Sequence, residues 1–272
     1  MKDTKHSLSA LEEAKLAIER LEAKEDLHGY DPFGFSPSYL RKVLPTTAML
    51  YRHYFRVITR GIEHVPEGRA LLIANHSGQI PLDGMMIGTA MLLDREEPKM
   101  TRAMVEKWVP SLPFISMLFS RAGQVVGTQA NAHLLLERGE QIMVFPEGSR
   151  GISKPWSRRY QLEEFGLGFM RLALKTNTPI VPIGVVGAEE QIPTIYNAKK
   201  LAKMLGMPSL PITPTMMVPL PVRYRIYFGE PLTFEGDPDD EDRAIRAHVD
   251  VVQRKIEALI AEGRADRVSL FA

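Results

Sequence analysis

Apolar side chains recur along this chain at two different periods, and the change of period divides it. At the start the period is helical: Leu8, Leu11, Ala14, Ile18 and Leu21 stand three or four residues apart with Glu and Lys between them. That spacing predicts an amphipathic helix ending near His28-Gly29. A turn-rich stretch follows, in which Ser36 before Pro37 offers an N-cap and a first-turn proline for a second helix. From about residue 55 the pattern becomes short apolar, β-rich runs, predicting strands over 55–59, 70–74, 99–104, 124–126, 142–145, 180–186 and 223–228. Helical patterns over 83–93, 130–137 and 168–176 fall between them, the alternation of an α/β sheet. The chain thus reads as an N-terminal helical unit over 1–54 and an α/β domain over 55–272. A last helix is expected to start at Asp237 as cap, with Pro238 in its first turn and Asp239, Asp240 and Glu241 complementing its dipole, and to run to about Gly263.

Composition narrows the function. The 272 residues carry 34 Lys and Arg against 33 Asp and Glu, so the whole molecule has no bulk charge with which to hold nucleic acid. Cysteine is absent, which excludes a disulfide framework, a thiol nucleophile and Cys-ligated metal. The acidic N-terminus has no signal-like apolar core, and no run approaches 18 apolar residues, so a cytosolic protein lying on a membrane rather than crossing it is expected. Residues 41–60 hold five Lys or Arg and no acid, interleaved with Leu44, Met49, Leu50, Tyr51, Tyr54 and Phe55, a composition suited to a membrane surface. The proline-studded apolar stretch 207–222 either covers a lipid site or packs on the core.

Candidate chemistry stands at the ends of the predicted strands, where α/β sheets bind ligands. The run 71–76 ends in Asn75-His76, and Asp83 opens the next helix. A neutral imidazole there can take a proton from a hydroxyl, while a carboxylate on its other nitrogen fixes the tautomer. A second strand ends in Phe145-Pro146-Glu147-Gly148-Ser149-Arg150. There Gly148 allows close approach of backbone to ligand, Arg150 offers a planar fork to phosphate or carboxylate, and Glu147 suits a hydroxyl or an arginine. Lys154, Arg158 and Arg159 extend this positive patch. The strand 180–186 contains Pro182, which argues for an edge position, a bulge or redirected backbone.

These pieces, in this order, resemble the glycerolipid acyltransferase superfamily typified by 1-acylglycerol-3-phosphate acyltransferase, over roughly residues 55–235. The likeness rests on Asn75-His76 with Asp83, on Phe145 to Arg150, on Val181-Pro182-Ile183 and on Gly229-Glu230-Pro231-Leu232. It implies a mixed, largely parallel sheet flanked by helices, with an N-terminal helical unit at the membrane interface. It implies His76 as general base oriented by Asp83, with Glu147, Gly148, Ser149, Arg150 and Pro182 binding substrate, and Lys154, Arg158 and Arg159 as phosphate or CoA contacts. Acyl-CoA or acyl-carrier protein would be the co-substrate, with no metal or further cofactor, and the enzyme would work peripherally on the cytoplasmic face of a membrane in phospholipid synthesis. The sequence departs from the family in three places. Six residues separate His76 from Asp83 where four are usual; no arginine stands near residue 126; and Phe165, Gly166 and Leu167 replace the usual lysines. A lysophosphatidate-type acceptor is expected first, by family frequency. A neutral mono- or diacylglycerol acceptor, or a non-catalytic lipid- or acyl-CoA-binding homologue, stands as the alternative.

Overall fold

The computed structural model describes residues 8–21, 29–76, 80–111, 114–152, 154–194, 196–198, 211–216 and 218–271. Its centre is a seven-stranded sheet made of β1 (Ile58–Arg60), β2 (Ala70–Ala74), β3 (Thr101–Val105), β4 (Val125–Val126), β5 (Gln141–Val144), β6 (Ile180–Val186) and β9 (Arg225–Phe228). The order across the sheet is β1-β9-β6-β2-β5-β3-β4, and every neighbouring pair is parallel except β6 with β9. The mixed, largely parallel sheet expected from the sequence is present. A separate antiparallel pair joins β7 (Tyr196–Asn197) to β8 (Pro211–Ile212).

Helices cover both faces because the strands are apolar on both sides. Along β2, Ala70, Leu72 and Ala74 face a core shared with α1 (Ala10–Arg20), α2 (Pro37–Met49) and α3 (Leu82–Leu93). Leu71 and Ile73 face the opposite core, built with α5 (Gln129–Glu137), α7 (Gly168–Thr176) and α9 (Asp242–Ala265). The N-terminal helices therefore pack into the same core as the sheet. Three shorter helices, α4 (Ile115–Arg121), α6 (Ser149–Ile152) and α8 (Ala188–Gln191), lie in the connections.

The structure corrects four sequence expectations. First, helix α1 stops at Arg20 with Leu21 extended, and the expected end at His28 lies outside the described residues. Its buried face is Ala10, Ala14 and Ala17, while Leu8, Leu11 and Leu16 are exposed, because small side chains let the helix approach α2 and α3 closely. Second, α9 starts at Asp242 with Glu241 as N-cap. Asp237 instead closes a turn, its side chain accepting the Asp239 N–H at 2.9 Å, and Arg171 donates to Asp242 at 2.7 Å. Third, the first strand begins at Ile58 rather than 55, since a π-turn over Leu50–Tyr54 precedes it and buries Tyr51 and Phe55. Fourth, Pro182 lies in a central strand, which excludes the edge position and leaves the bulge as the alternative that fits, since residues 180–182 oppose residues 229–232 with one residue extra on the partner side. The Pro182 carbonyl accepts from Gly229 at 2.8 Å, just where the chain leaves β9, so the missing proline N–H faces a break in the ladder and removes no regular bond.

Candidate active site

Strand β2 ends at Ala74, and the next residue anchors the site. Buried Asn75 donates to the Val185 carbonyl at 3.1 Å and accepts the Val185 N–H at 2.7 Å, clamping the end of β2 to β6. His76 follows, and its Nδ1 lies 2.8 Å from Asp83 Oδ2. The carboxylate is fully buried in the first turn of α3, and its other oxygen accepts the Gly84 N–H at 2.8 Å. The longer His–Asp separation does not prevent contact; residues 77–79 of the connection lie outside the described residues. An ionised carboxylate accepts only, so the proton of a neutral imidazole sits on Nδ1 and the lone pair on Nε2. The ring stacks on Phe145 at 4.3 Å between centroids, which limits its rotation.

The loop after β5 holds His76 from the other side. Glu147 is buried, and its carboxylate accepts the His76 backbone N–H at 2.9 Å, the Glu163 N–H at 2.8 Å and the Lys154 ammonium at 3.2 Å. Lys154 also donates to Glu189 at 3.1 Å and to the Gln161 carbonyl at 3.1 Å, so its three protons have three acceptors. Burial pushes the Glu189 carboxyl up to about 7, with Lys154 opposing the rise. Gly148 takes a left-handed φ of 57°, and a side chain there would meet the Glu106 carboxylate at 3.0 Å. Glu106 stands at the end of β3 and accepts the Ser149 N–H at 3.3 Å. Gly151 was not singled out in the sequence: a Cβ on it would lie 3.0 Å from the His76 Cβ and carbonyl and from the Glu147 Cβ. Only the tertiary approach of two loops reveals that requirement. Among the described residues, no group of three or more His, Asp or Glu is placed to hold a metal ion.

The acyltransferase family profile matches residues 56–186, which include His76, Asp83 and Glu147 to Arg150. An uncharacterized protein of Mycobacterium tuberculosis is 34% identical over 257 residues, covering 90% of this chain and 72% of that protein. The chain belongs to the glycerolipid acyltransferase superfamily. A protein of Gallus gallus named as a DGAT1/2-independent enzyme synthesizing storage lipids is 26% identical to this acyltransferase over 67% of its chain and 54% of the relative. A 1-acyl-sn-glycerol-3-phosphate acyltransferase of Limnanthes douglasii is 29% identical over 47% and 44%. The crystal structure of PlsC from Thermotoga maritima, a 1-acyl-sn-glycerophosphate acyltransferase, shares the fold with a TM-score of 0.53 at 18% identity, covering 85% and 84% of the two chains.

The other candidate residues of the acyltransferase make contacts within the protein. Glu147 and Lys154 are buried and form an internal ion pair beneath the site. Arg150 donates to the Glu164 carbonyl at 2.7 Å, Arg158 pairs with Glu163 at 2.9 Å, and Arg159 lies 3.8 Å from Glu190 and over the Trp156 ring. Pro182 sits opposite Ile73 in the sheet interior, away from the loops that carry the others. His76, Asp83, Glu147, Gly148, Ser149 and Lys154 are brought together. In the segment 41–60, Arg52 bonds Glu13 and Asp94, Arg56 donates to the carbonyls of Pro221 and Phe271, and Arg60 pairs with Asp266, while Arg41 and Lys42 are exposed.

Proposed function

We propose that this acyltransferase moves a fatty acyl group from an activated thioester, acyl-CoA or acyl-carrier protein, to a hydroxyl of a glycerolipid. The contact between His76 Nδ1 and the buried Asp83 carboxylate carries the proposal. Nε2 takes the proton from the acceptor hydroxyl as its oxygen attacks the thioester carbonyl carbon, and Asp83 stabilises the imidazolium that forms. Collapse of the tetrahedral intermediate breaks the carbon–sulfur bond. The imidazolium then returns its proton to the departing thiolate, and no acyl-enzyme forms. Glu147 and Gly151 act on this step indirectly, by fixing the backbone of His76.

Electrostatics favours a neutral acceptor over a phosphorylated one. Near the loop, Lys154 is buried, Arg150 donates to the Glu164 carbonyl, and Arg158 and Arg159 lie against Glu163 and Glu190, while exposed Lys107 stands beside the acid Glu106. The Ser149 amide, a natural seat for a phosphate oxygen, is already taken by the Glu106 carboxylate. A phosphate would have to displace or repel that charge. The test offers purified protein acyl-CoA with a panel of mono- and diacylglycerols and lysophosphatidate. Turnover should be greatest on a neutral glyceride, and His76→Ala should lower it by about 100-fold or more while the circular dichroism spectrum stays unchanged. Retained turnover in the variant removes His76 from the mechanism; lysophosphatidate as best acceptor overturns the neutral reading.

A further inference from the structure

One carboxylate beside the site has no part in the proton transfer. Glu106 follows the last residue of β3, is exposed, and its Oε1 accepts the Ser149 N–H at 3.3 Å while lying against Gly148. Its other oxygen bonds none of the described residues, and no cation among them, exposed Lys107 included, lies within salt-bridge distance of it. Half of this carboxylate is therefore open to whatever enters from solvent.

Strand register places it near the base. Ala103 of β3 pairs with Met143 and Ile73 of β2 with Val144, so, continued past the strand ends, Glu106 stands level with residue 146 and His76 with residue 147. Only β5 lies between β3 and β2, which sets the two backbones roughly 10 Å apart, two strand spacings. The turn after β5, closed by the Gly148 N–H on the Phe145 carbonyl at 3.0 Å, touches both groups: Phe145 stacks on the His76 ring and Gly148 meets Glu106. On the other flank, Gly127 after β4 donates to the Val105 carbonyl at 2.8 Å and Thr128 caps α5, so that side brings no cation either. A carboxylate accepts hydrogen bonds and donates none; here it can hold a hydroxyl, and it repels a second anion. The reacting hydroxyl gives its proton to His76 Nε2, so the one that meets Glu106 is a second hydroxyl on the same acceptor. Monoacylglycerol has two free hydroxyls, diacylglycerol has one, and lysophosphatidate carries phosphate in place of the second.

We infer that Glu106 selects the acceptor: it accepts a hydrogen bond from the hydroxyl that does not react, which makes monoacylglycerol the preferred class, and its charge keeps phosphate out. The inference deepens the acyl-transfer reading and rests on it. The test measures kcat/KM for wild type, Glu106→Gln and Glu106→Ala on monoacylglycerol, diacylglycerol, lysophosphatidate and a monoacyl ester of propanediol, which lacks the second hydroxyl. Wild type should prefer monoacylglycerol to the propanediol ester about tenfold, the size of a charge-assisted hydrogen bond at an exposed position. Glu106→Ala should erase that preference, and Glu106→Gln, whose amide oxygen still accepts, should keep part of it. Both variants lose the charge, so both should raise lysophosphatidate turnover relative to monoacylglycerol by about tenfold. A residue that only held the Ser149 backbone would change all acceptors alike. Because Glu106 is exposed, the melting curves of both variants should stay close to wild type. Turnover with the same acceptor ratios in all three proteins overturns the role of Glu106 and leaves acyl transfer standing. So does a wild type that works best on diacylglycerol, on lysophosphatidate, or on lysophosphatidylethanolamine, whose ammonium is the other partner a carboxylate takes. Turnover of no acceptor removes acyl transfer itself, and this inference with it.

Discussion

Gly151 has no reactive group, yet its missing side chain sets where His76 sits. Because the close neighbours include the His76 carbonyl, part of the backbone, an added methyl group cannot be accommodated by rotating a side chain. Gly151→Ala is therefore expected to lower kcat about tenfold to 100-fold, as the imidazole moves by a fraction of an ångström from the reacting hydroxyl. A steady-state assay on the best acceptor checks this, and an unchanged kcat would mean that the close approach does not position the base. At the same scale, the His–Asp pair was legible in the sequence because both groups stand at a strand end and a helix start that the apolar pattern marks. Glu147 was legible as important but not in its role. Its three bonding partners include residues 71 positions before it and 16 after it, and no local pattern encodes burial by such distant groups.

Loops and short helices decide whether these residues stay aligned. Lys154 ties the loop after β5 to α8 after β6 by bridging Glu147 and Glu189. Burial raises the folded Glu189 pKa from its ordinary 4.5 to about 7, so its neutral form is favoured in the folded state. A raised carboxyl contributes most to stability at low pH, and that contribution is lost as pH rises through about 7. In melts between pH 5 and 8, the stability of Glu189→Gln relative to wild type should therefore improve with pH, by up to about 3 kcal/mol in total. A pH-independent difference would show that Glu189 titrates at its ordinary value. Among the elements, β2 and β6 were readable because strands buried on both faces are continuous apolar runs. Helix α4 was not, since an apolar helix that faces outward has no polar side to give it a period against a core.

For the whole molecule, the N-terminal residues are structural before they are anything else. Helix α1 buries only three alanines, whereas α2 and the π-turn add Leu40, Leu44, Ala48, Tyr51 and Phe55 to the core. Removing residues 1–21 should lower the melting temperature but leave a cooperative transition, while removing 1–60 should abolish it. A cooperative melt of the shorter chain would mean that the α/β part folds without these helices. No helix among the described residues is long and apolar enough to cross a membrane. The sequence alone determined the α/β alternation, the strand ends that carry His76 and Glu147, and the likeness to acyltransferases, because each is written in short-range apolar spacing and local motifs. Which cations are free and which apolar residues face outward was decided by tertiary structure. Arg52 meets Asp94 and Arg60 meets Asp266, so a stretch that is basic when read in order is partly neutralised by acids from far along the chain. Pairing and burial depend on distance in space, which the folded sheet sets.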